Sequence, residues 1–582
     1  MKDFFLVLVI TLAIFAKAET LTVEGDSSAV FRIDEIRYDI GDVFDDSRIR
    51  YTYDKWLCDL LVGLHFKTRE STVRNLLLFD EGDEISKIQV QEAERFLRTQ
   101  RYLSDAKITI LNEDGKNIAN VHTSDNWTLS PSLGGGFNGS KKSYDNLHWY
   151  AGIQESNFLG FGQMLDLLYE HTYYRNMLTL GYGAPHFLFR YNHLDAAYSY
   201  TSDGYLTYLD MYLPYLSRSQ NQWAYNFSGL LNKRSIYAYS SGKIPPGTTR
   251  YGKKKSLDAV PKYNGDDAVT MMRVDDFVED SLNFTLGRSF GGTYRKLYIG
   301  ATYDYHLQSA ENGKLIPYTF TLGDEKVYAV DSNYAWKEWV PDKKDSRLGF
   351  FLKLSNIHYV KAVNLHHVKW TEDVERGYSL KGQISKNYEQ LGAGNNDVRF
   401  NLWANLYLGS GMHYLTLKSE SRFYLDHWEN MHDFYGKVLG EYILHPTDNL
   451  ATVFKGFVDF YDNAKFGYQL SLGGEDGFSG LPIGYYTGQA RVFGTVEQRM
   501  FFPKLELVTL SPVLAGFIGV GETAWEVKDI NRDDLIYVLG TCVYFAQTKS
   551  FSRTINKMGV SFPMNGKRKG IPHYIITTTV SL

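Results

Sequence analysis

Residues 472–482 read Leu-Gly-Gly-Glu-Asp-Gly-Phe-Ser-Gly-Leu-Pro, and the run after them carries Arg491, Glu497 and Arg499. In a strand, positions an even number apart share a face, so these three charged side chains stand on one side with Thr495, opposite Ala490, Val492, Gly494 and Val496. That pattern suits charge recognition by a fixed wall. It does not suit covalent catalysis. Gly-Phe-Ser-Gly-Leu lacks the G-x-S-x-G spacing of a nucleophile elbow, no H-E-x-x-H is present, and no Cys/His group has metal-ligand spacing. No catalytic constellation, metal site or cofactor is expected, and the chain reads as a non-enzyme. The lysines of "GKKKS" (252–256) suit a solvated loop, or contact with anionic phosphates.

A turn between paired strands takes two to five residues, so the glycine-rich segment is too long to be a plain hairpin. Composition frames what must position it. The chain has 582 residues, with Gly 51, Tyr 44 and Phe 35 high and Pro 14 and Cys 2 low. Mean hydropathy is −0.31, against a protein of membrane helices. A net charge of −5 gives no electrostatic case for nucleic acid. Cys58 and Cys542 lie far apart and read as two separate thiols.

The first residues, "MKDFFLVLVITLAIFAKA", join a lysine, a short apolar run from Phe4 to Phe15 and the small-x-small end Ala16-Lys17-Ala18. This is the pattern of a secretory signal peptide over residues 1–18, too short for a permanent span. Residues 29–125 mix strand and helix periods. "VFRIDEIRYDI" alternates; "YDKWLCDLLVGLHF" and "ISKIQVQEAERFLRTQ" carry apolar residues at three- and four-residue spacing. "DAKITIL", the turn "NEDGKN" and "IANVHT" read as a hairpin. From Asn126 to Leu582 the helical period disappears. "RFNLWANLYL", "LYIGATYDYH" and "QARVFGTVEQR" alternate over nine or more residues, the length of a tilted bilayer-spanning strand, with aromatic residues near their ends. Backbone groups in lipid have to pair, so such strands close into a barrel. The expected fold is an all-β transmembrane barrel over 126–582.

These residues resemble a known family. "LLFDEGDEISKIQVQEAERFLRTQRYLSDAKITI" (77–110) looks like the second half of a βααββ POTRA domain, with Phe96, Leu97, Tyr102 and Leu103 in its core. "NFLGFGQ" (157–163) is similar to the glycine turn after the second barrel strand of the BamA/TamA-like outer-membrane assembly superfamily. The segment at 472–482, followed by Arg491, Glu497 and Arg499, resembles that family's lumen-inserted loop and the wall it meets. The resemblance implies a loop motif of Gly473, Gly474, Gly477, Ser479, Gly480 and Leu481, with Arg491, Glu497 and Arg499 as barrel-wall partners. The family's loop-tip arginine falls on Ser479 and its aromatic on Leu481; the wall aspartate that would pair with the arginine falls on Gly519. Charge and countercharge are both missing, and losing both is coherent because a buried unpaired charge is costly. Glu475 or Asp476 would be the acids able to reach Arg491 or Arg499.

The family's barrel has sixteen antiparallel strands, which is the expectation here, with twenty as the alternative. Either count puts the loop at the end away from the POTRA-like domain. "HYIITTTVSL" resembles the terminal strand by which such barrels are recognised, with Tyr574, Ile576, Val580 and Leu582 facing out. The resemblance implies a monomeric outer-membrane barrel with a periplasmic POTRA domain that accepts unfolded or secreted polypeptide by β-augmentation. Outer-membrane lipid and lipopolysaccharide would surround it. The expected role is insertion, assembly or translocation of polypeptides. The alternative is a passive pore or surface-structural barrel that keeps the scaffold without that activity.

Overall fold

A computed structural model describes residues 30–43, 63, 65–137, 147–172, 175–217, 219–240, 270–310, 315–319, 342–426, 430–462, 469–473, 477–478, 481, 486–502, 505, 510–548, 555–566 and 569–579. The signal-like segment, most of the helical pattern at 53–66 and the lysine loop lie outside these residues.

The N-terminal residues form a small α/β module. The alternating run at 30–40 is two strands, not one: β1 (Val30–Arg32) pairs with β3 (Glu84–Ser86), whereas β2 (Glu35–Gly41) runs parallel to β5 (Lys116–Asp125). The division comes where the amides of Ile33 and Asp34 bond out of register to Asp83 and Asn117 carbonyls. β4 (Leu103–Glu113) completes the sheet in the order β2-β5-β4. Its hairpin with β5 closes through Asp114 and Gly115 at φ 50° and 81°, a left-handed pair matching the twist of the flanking strands. Helix α1 spans Glu70–Leu76 and α2 spans Lys87–Thr99. α2 starts in a capping box, in which Ser86 and Gln89 satisfy each other's backbone amides. It buries Val90, Ala93, Phe96 and Leu97 in one cluster with Tyr102, Leu103, Ile108 and Val121.

The rest of the described chain is a barrel of twenty antiparallel strands. In order these are β6 (Leu129–Phe137), β7 (Leu147–Phe158), β8 (Gln163–His171), β9 (Asn176–Ala184), β10 (His193–Thr201), β11 (Gly204–Leu213), β12 (Trp223–Ser240), β13 (Thr270–Gly291) and β14 (Arg295–Ser309). After β15 (Leu315–Thr319), which pairs only with the far end of β13, come β16 (Lys343–Val363), β17 (Thr371–Asn387), β18 (Val398–Ser410), β19 (His413–Asp426), β20 (Asn430–Thr447) and β21 (Leu450–Asp462). A two-residue ladder, β22 (Leu470–Ser471) with β23 (Thr487–Gly488), precedes β24 (Ala490–Phe501), β25 (Leu510–Ala524), β26 (Ile536–Gln547), β27 (Ile555–Pro563) and β28 (His573–Thr579). The expectation of sixteen strands is corrected to the alternative, twenty. β10 and β11 belong to the wall, pairing along their whole lengths from His193↔Tyr212 to Thr201↔Gly204.

Alternation sets the two faces. In β25, Leu514 and Ile518 are exposed, while Val513, Ala515 and Phe517 are buried between them. The same holds for Leu348, Phe350, Leu352 and Leu354 in β16 and for Tyr574 and Ile576 in β28, whose neighbour Ile575 is buried. An apolar outer band over a polar interior is the pattern of a transmembrane barrel. No described helix is long and apolar enough to cross a membrane.

Candidate functional site: an inserted loop, a short seam and a docked module

The glycine-rich segment joins β21 to β24 at the end of the barrel away from the module, and its described residues fold onto the inner wall. Its base is the β22–β23 ladder, prolonged by the Leu472 amide donating to the Tyr486 carbonyl at 2.9 Å. The chain then doubles back: Gly473 bridges Phe478, and the Phe478 amide donates to the Leu472 carbonyl at 2.8 Å. Leu472, Phe478 and Leu481 are buried with Phe493, Val513, Ala515 and Phe517. Gly474, Ser479 and Gly480, with Glu475 and Asp476, lie outside the described residues.

Phe478 occupies the socket that the sequence comparison left empty. Its ring centroid is 4.8 Å from that of Phe493, and a β-carbon on Gly519 would stand 2.2 Å from its Cε1. Gly519 is therefore a seat for an aromatic ring, where the resembled family has an acid for an arginine. The aromatic in that seat is Phe478; Leu481, where the family pattern put it, is buried beside it in the same cluster. At Gly477 a β-carbon would lie 1.9 Å from the Leu472 carbonyl oxygen, so close backbone approach demands glycine there.

Arg491, Glu497 and Arg499 share the inner face of β24, in two separate groups. Arg491 donates from Nε and Nη2 to the two oxygens of Asp459 at 2.9 and 2.6 Å, and from Nη1 to the Ser471 carbonyl at the loop base. Its guanidinium lies 4.6 Å from the Phe457 ring centroid. Glu497 takes Arg499 Nε at 2.6 Å and the Tyr544 hydroxyl at 2.6 Å. The wall thus supplies its own acids, Asp459 and Glu497. Sequence reasoning passed over Asp459, although its place opposite Arg491 in the register follows from alternation in "FKGFVDF". Phe478 carried no comparable signal.

The barrel closes where β28 meets β6, through the pairs Tyr574↔Phe137, Ile575↔Gly136 and Ile576↔Gly135. On its other side β6 pairs with β7 from Leu129↔Glu155 to Phe137↔Leu147. Thr577–Thr579 continue the ladder with β27 but have no described partner on β6. Among the described residues this seam is the shortest ladder in the wall.

The module docks on the turns at the opposite end from the loop. In the β9–β10 turn, Arg190 caps the C-terminus of α1. Its Nη2 donates to the Leu77 carbonyl at 2.6 Å and its Nη1 to Asp80 at 2.8 Å. Tyr191 Oη donates to the same Leu77 carbonyl. In the β7–β8 turn, Leu159, Gly160 and Gly162 adopt positive φ, and Gly160 accepts from Thr72 Oγ1 at 2.7 Å. α2 reaches the β11–β12 turn, where Glu92 accepts from Ser217 Oγ at 2.7 Å. Phe96, Leu97, Tyr102 and Leu103 are all buried beneath these contacts.

His186 makes the β9–β10 turn pH-dependent. Burial, then the nearby His193 and Arg190, push its imidazole down to about 4 from an ordinary 6.5. The unfolded turn therefore binds more protons between those values, so the folded turn, which carries the Arg190 and Tyr191 contacts to α1, is at full strength above 6.5 and weakens as pH falls toward 4. Amide exchange of residues 70–80 is expected to quicken between pH 7.5 and about 5, and a His186→Phe variant to flatten that response. Equal exchange at both pH values in the unaltered chain would disprove the coupling.

No family model matches the chain, and no curated protein matches it. Among solved structures, it is similar to BamA from Haemophilus ducreyi lacking POTRA domains 1–3, at 12% identity over 94% of this chain and 85% of that one, TM-score 0.33. It is similar to CdiB from Acinetobacter baumannii at 10% identity over 94% and 74%, TM-score 0.43. It is also similar to CdiB from Escherichia coli, at 11% identity over 99% and 97%, TM-score 0.42. These neighbours are BamA and CdiB barrels. Fold and site geometry, rather than these likenesses, support the reading that follows.

Proposed function

We propose that the protein is an outer-membrane barrel acting in insertion, assembly or translocation of polypeptides, with residues 29–125 as a single POTRA-like domain in the periplasm. The short seam carries this reading. Unpaired backbone in lipid costs several kcal/mol per group, and a wall built only to enclose a pore gains nothing from a weak ladder between its first and last strands. A seam with three described pairs is the place where a wall could part sideways and offer strand edges to an incoming chain.

The module supports the same reading. The β4 edge is spanned by α2, with Glu94 accepting from the Ile108 amide and Arg98 donating to the Ala106 carbonyl. Among the described residues β2 is the other edge of that sheet, with its Ile36 amide donating to Glu81 Oε1 at 3.0 Å, and we assign β-augmentation by a client strand to this edge. Lipid and lipopolysaccharide surround the barrel, which acts as a monomer without nucleic acid, metal or cofactor.

The deciding experiment joins Gly136→Cys to Ile575→Cys, two residues paired across the seam. Oxidation is expected to abolish client assembly or secretion in cells, and reduction to restore it. Full activity with the disulfide formed would sink lateral opening and favour the passive barrel. Folding of the cross-linked protein is checked by heat-modifiable migration on gels.

A further inference from the structure

The turn between β16 and β17 is shaped to reach inward. Asn364 and Lys369 both take positive φ, 59° and 64°, and the Asn364 carboxamide oxygen accepts the Lys369 amide at 2.6 Å. Glu372 Oε1 accepts the amides of Leu365, His366 and His367 at 3.0, 2.9 and 3.1 Å, which fixes the bend. The turn then packs on strands well around the wall from its own. Leu365 is buried with Ile443 of β20 and Val453 of β21. His366 Nε2 meets Glu441 of β20 at 3.2 Å. Val368 joins the buried cluster that holds Phe501, Val513 and Ala515, and Trp370 Nε1 donates to the Gln547 carbonyl at the end of β26. A turn at the module end that bonds to β20 and β26 and shares buried clusters with residues of β21, β24 and β25 crosses the mouth of the lumen.

The module holds it there. Arg98 of α2 grips Asp373 with Nε and Nη2, both at 3.0 Å, and is itself buried, its Nη1 bonded to the Ala106 carbonyl. Arg95 lies 4.4 Å from the Tyr359 ring centroid of the same hairpin. We propose that residues 364–370 are a plug closing the module-side mouth of the lumen, and that Arg98 latches this plug through Asp373. Displacement of α2 from the barrel rim frees the hairpin, so module and lumen form one device. The proposal rests on the polypeptide-passage reading only for what the opening serves; the closure itself does not need it.

The test uses the full chain in planar bilayers, where conductance requires no client and so is independent of the proposed activity. One variant replaces residues 365–368 by a two-residue Asn-Gly turn, alone and together with Phe478→Ala, which loosens the loop at the other end. The shortened turn is expected to raise mean conductance about tenfold in at least the second background, the size of an ordinary coupling between sites. Arg98→Ala is expected to raise opening frequency with the turn intact. A His366→Cys, Glu441→Cys pair bridged by a short bis-maleimide is expected to keep that channel shut. A folded, heat-modifiable barrel with the shortened turn and unchanged conductance in both backgrounds would overturn the plug. Unchanged opening frequency in Arg98→Ala would overturn the latch.

Discussion

A Phe478→Ala variant is expected to lose roughly 3–5 kcal/mol of barrel stability, the usual cost of emptying a large aromatic site in a packed core. The ring is 1% exposed, packed against Phe493 and seated over two glycines, Gly519 and Gly521, which have no side chains to fill the space it would leave. Urea titration in lipid vesicles measures it. A loss below about 1 kcal/mol, the scale of a minor core trim, would mean that the loop does not seat on the wall. The socket also predicts how an ionic pair must be rebuilt. Gly519→Asp alone drives a β-carbon and a carboxylate into the buried Phe478 ring, so it should be destabilising. Phe478→Arg alone buries a charge without a partner. Combined, the two substitutions should recover at least about 0.5 kcal/mol relative to their sum. Strict additivity would place the loop tip away from β25.

Arg491→Met should cost a comparable roughly 3–5 kcal/mol, for a different reason. Asp459 is 1% exposed and receives two hydrogen bonds from Arg491, so the variant leaves a buried carboxylate without its cation. It also frees the Ser471 carbonyl, and the loop base should become susceptible to protease around residues 470–473. Asp459→Leu in the Arg491→Met background removes the stranded charge and should restore most of the loss. A double variant no more stable than Arg491→Met would show that the arginine acts through the loop rather than through Asp459.

What the sequence carried and what it hid follow from range. Period-two alternation in "QARVFGTVEQR" is a local signal, and it put Arg491, Glu497 and Arg499 on the inner face where they stand. The last strand, His573–Thr579, was legible for the same reason. Strand number was not. A short alternating run looks alike inside the bilayer and beyond it, and only pairing along both flanks places β10 and β11 in the wall. Phe478 was hidden because its meaning lies forty-one residues away, in the absence of a side chain at Gly519. Arg190 and Arg98 are ordinary surface arginines in sequence; the carbonyls and carboxylate they bind belong to distant elements.

Twenty strands carry a consequence for whatever membrane contains them. Barrels of sixteen to eighteen strands already leave a water-filled channel, and wider ones keep their lumen stoppered. A ring of this girth, left hollow, would leak metabolites and admit toxic solutes whenever it was not at work. Under the proposed function and the proposed plug, the permeability barrier rests on the loop at one end and the β16–β17 turn at the other. A mutation that merely loosens either should show itself first as sensitivity to bulky antibiotics and detergents, before any fault in the handling of clients.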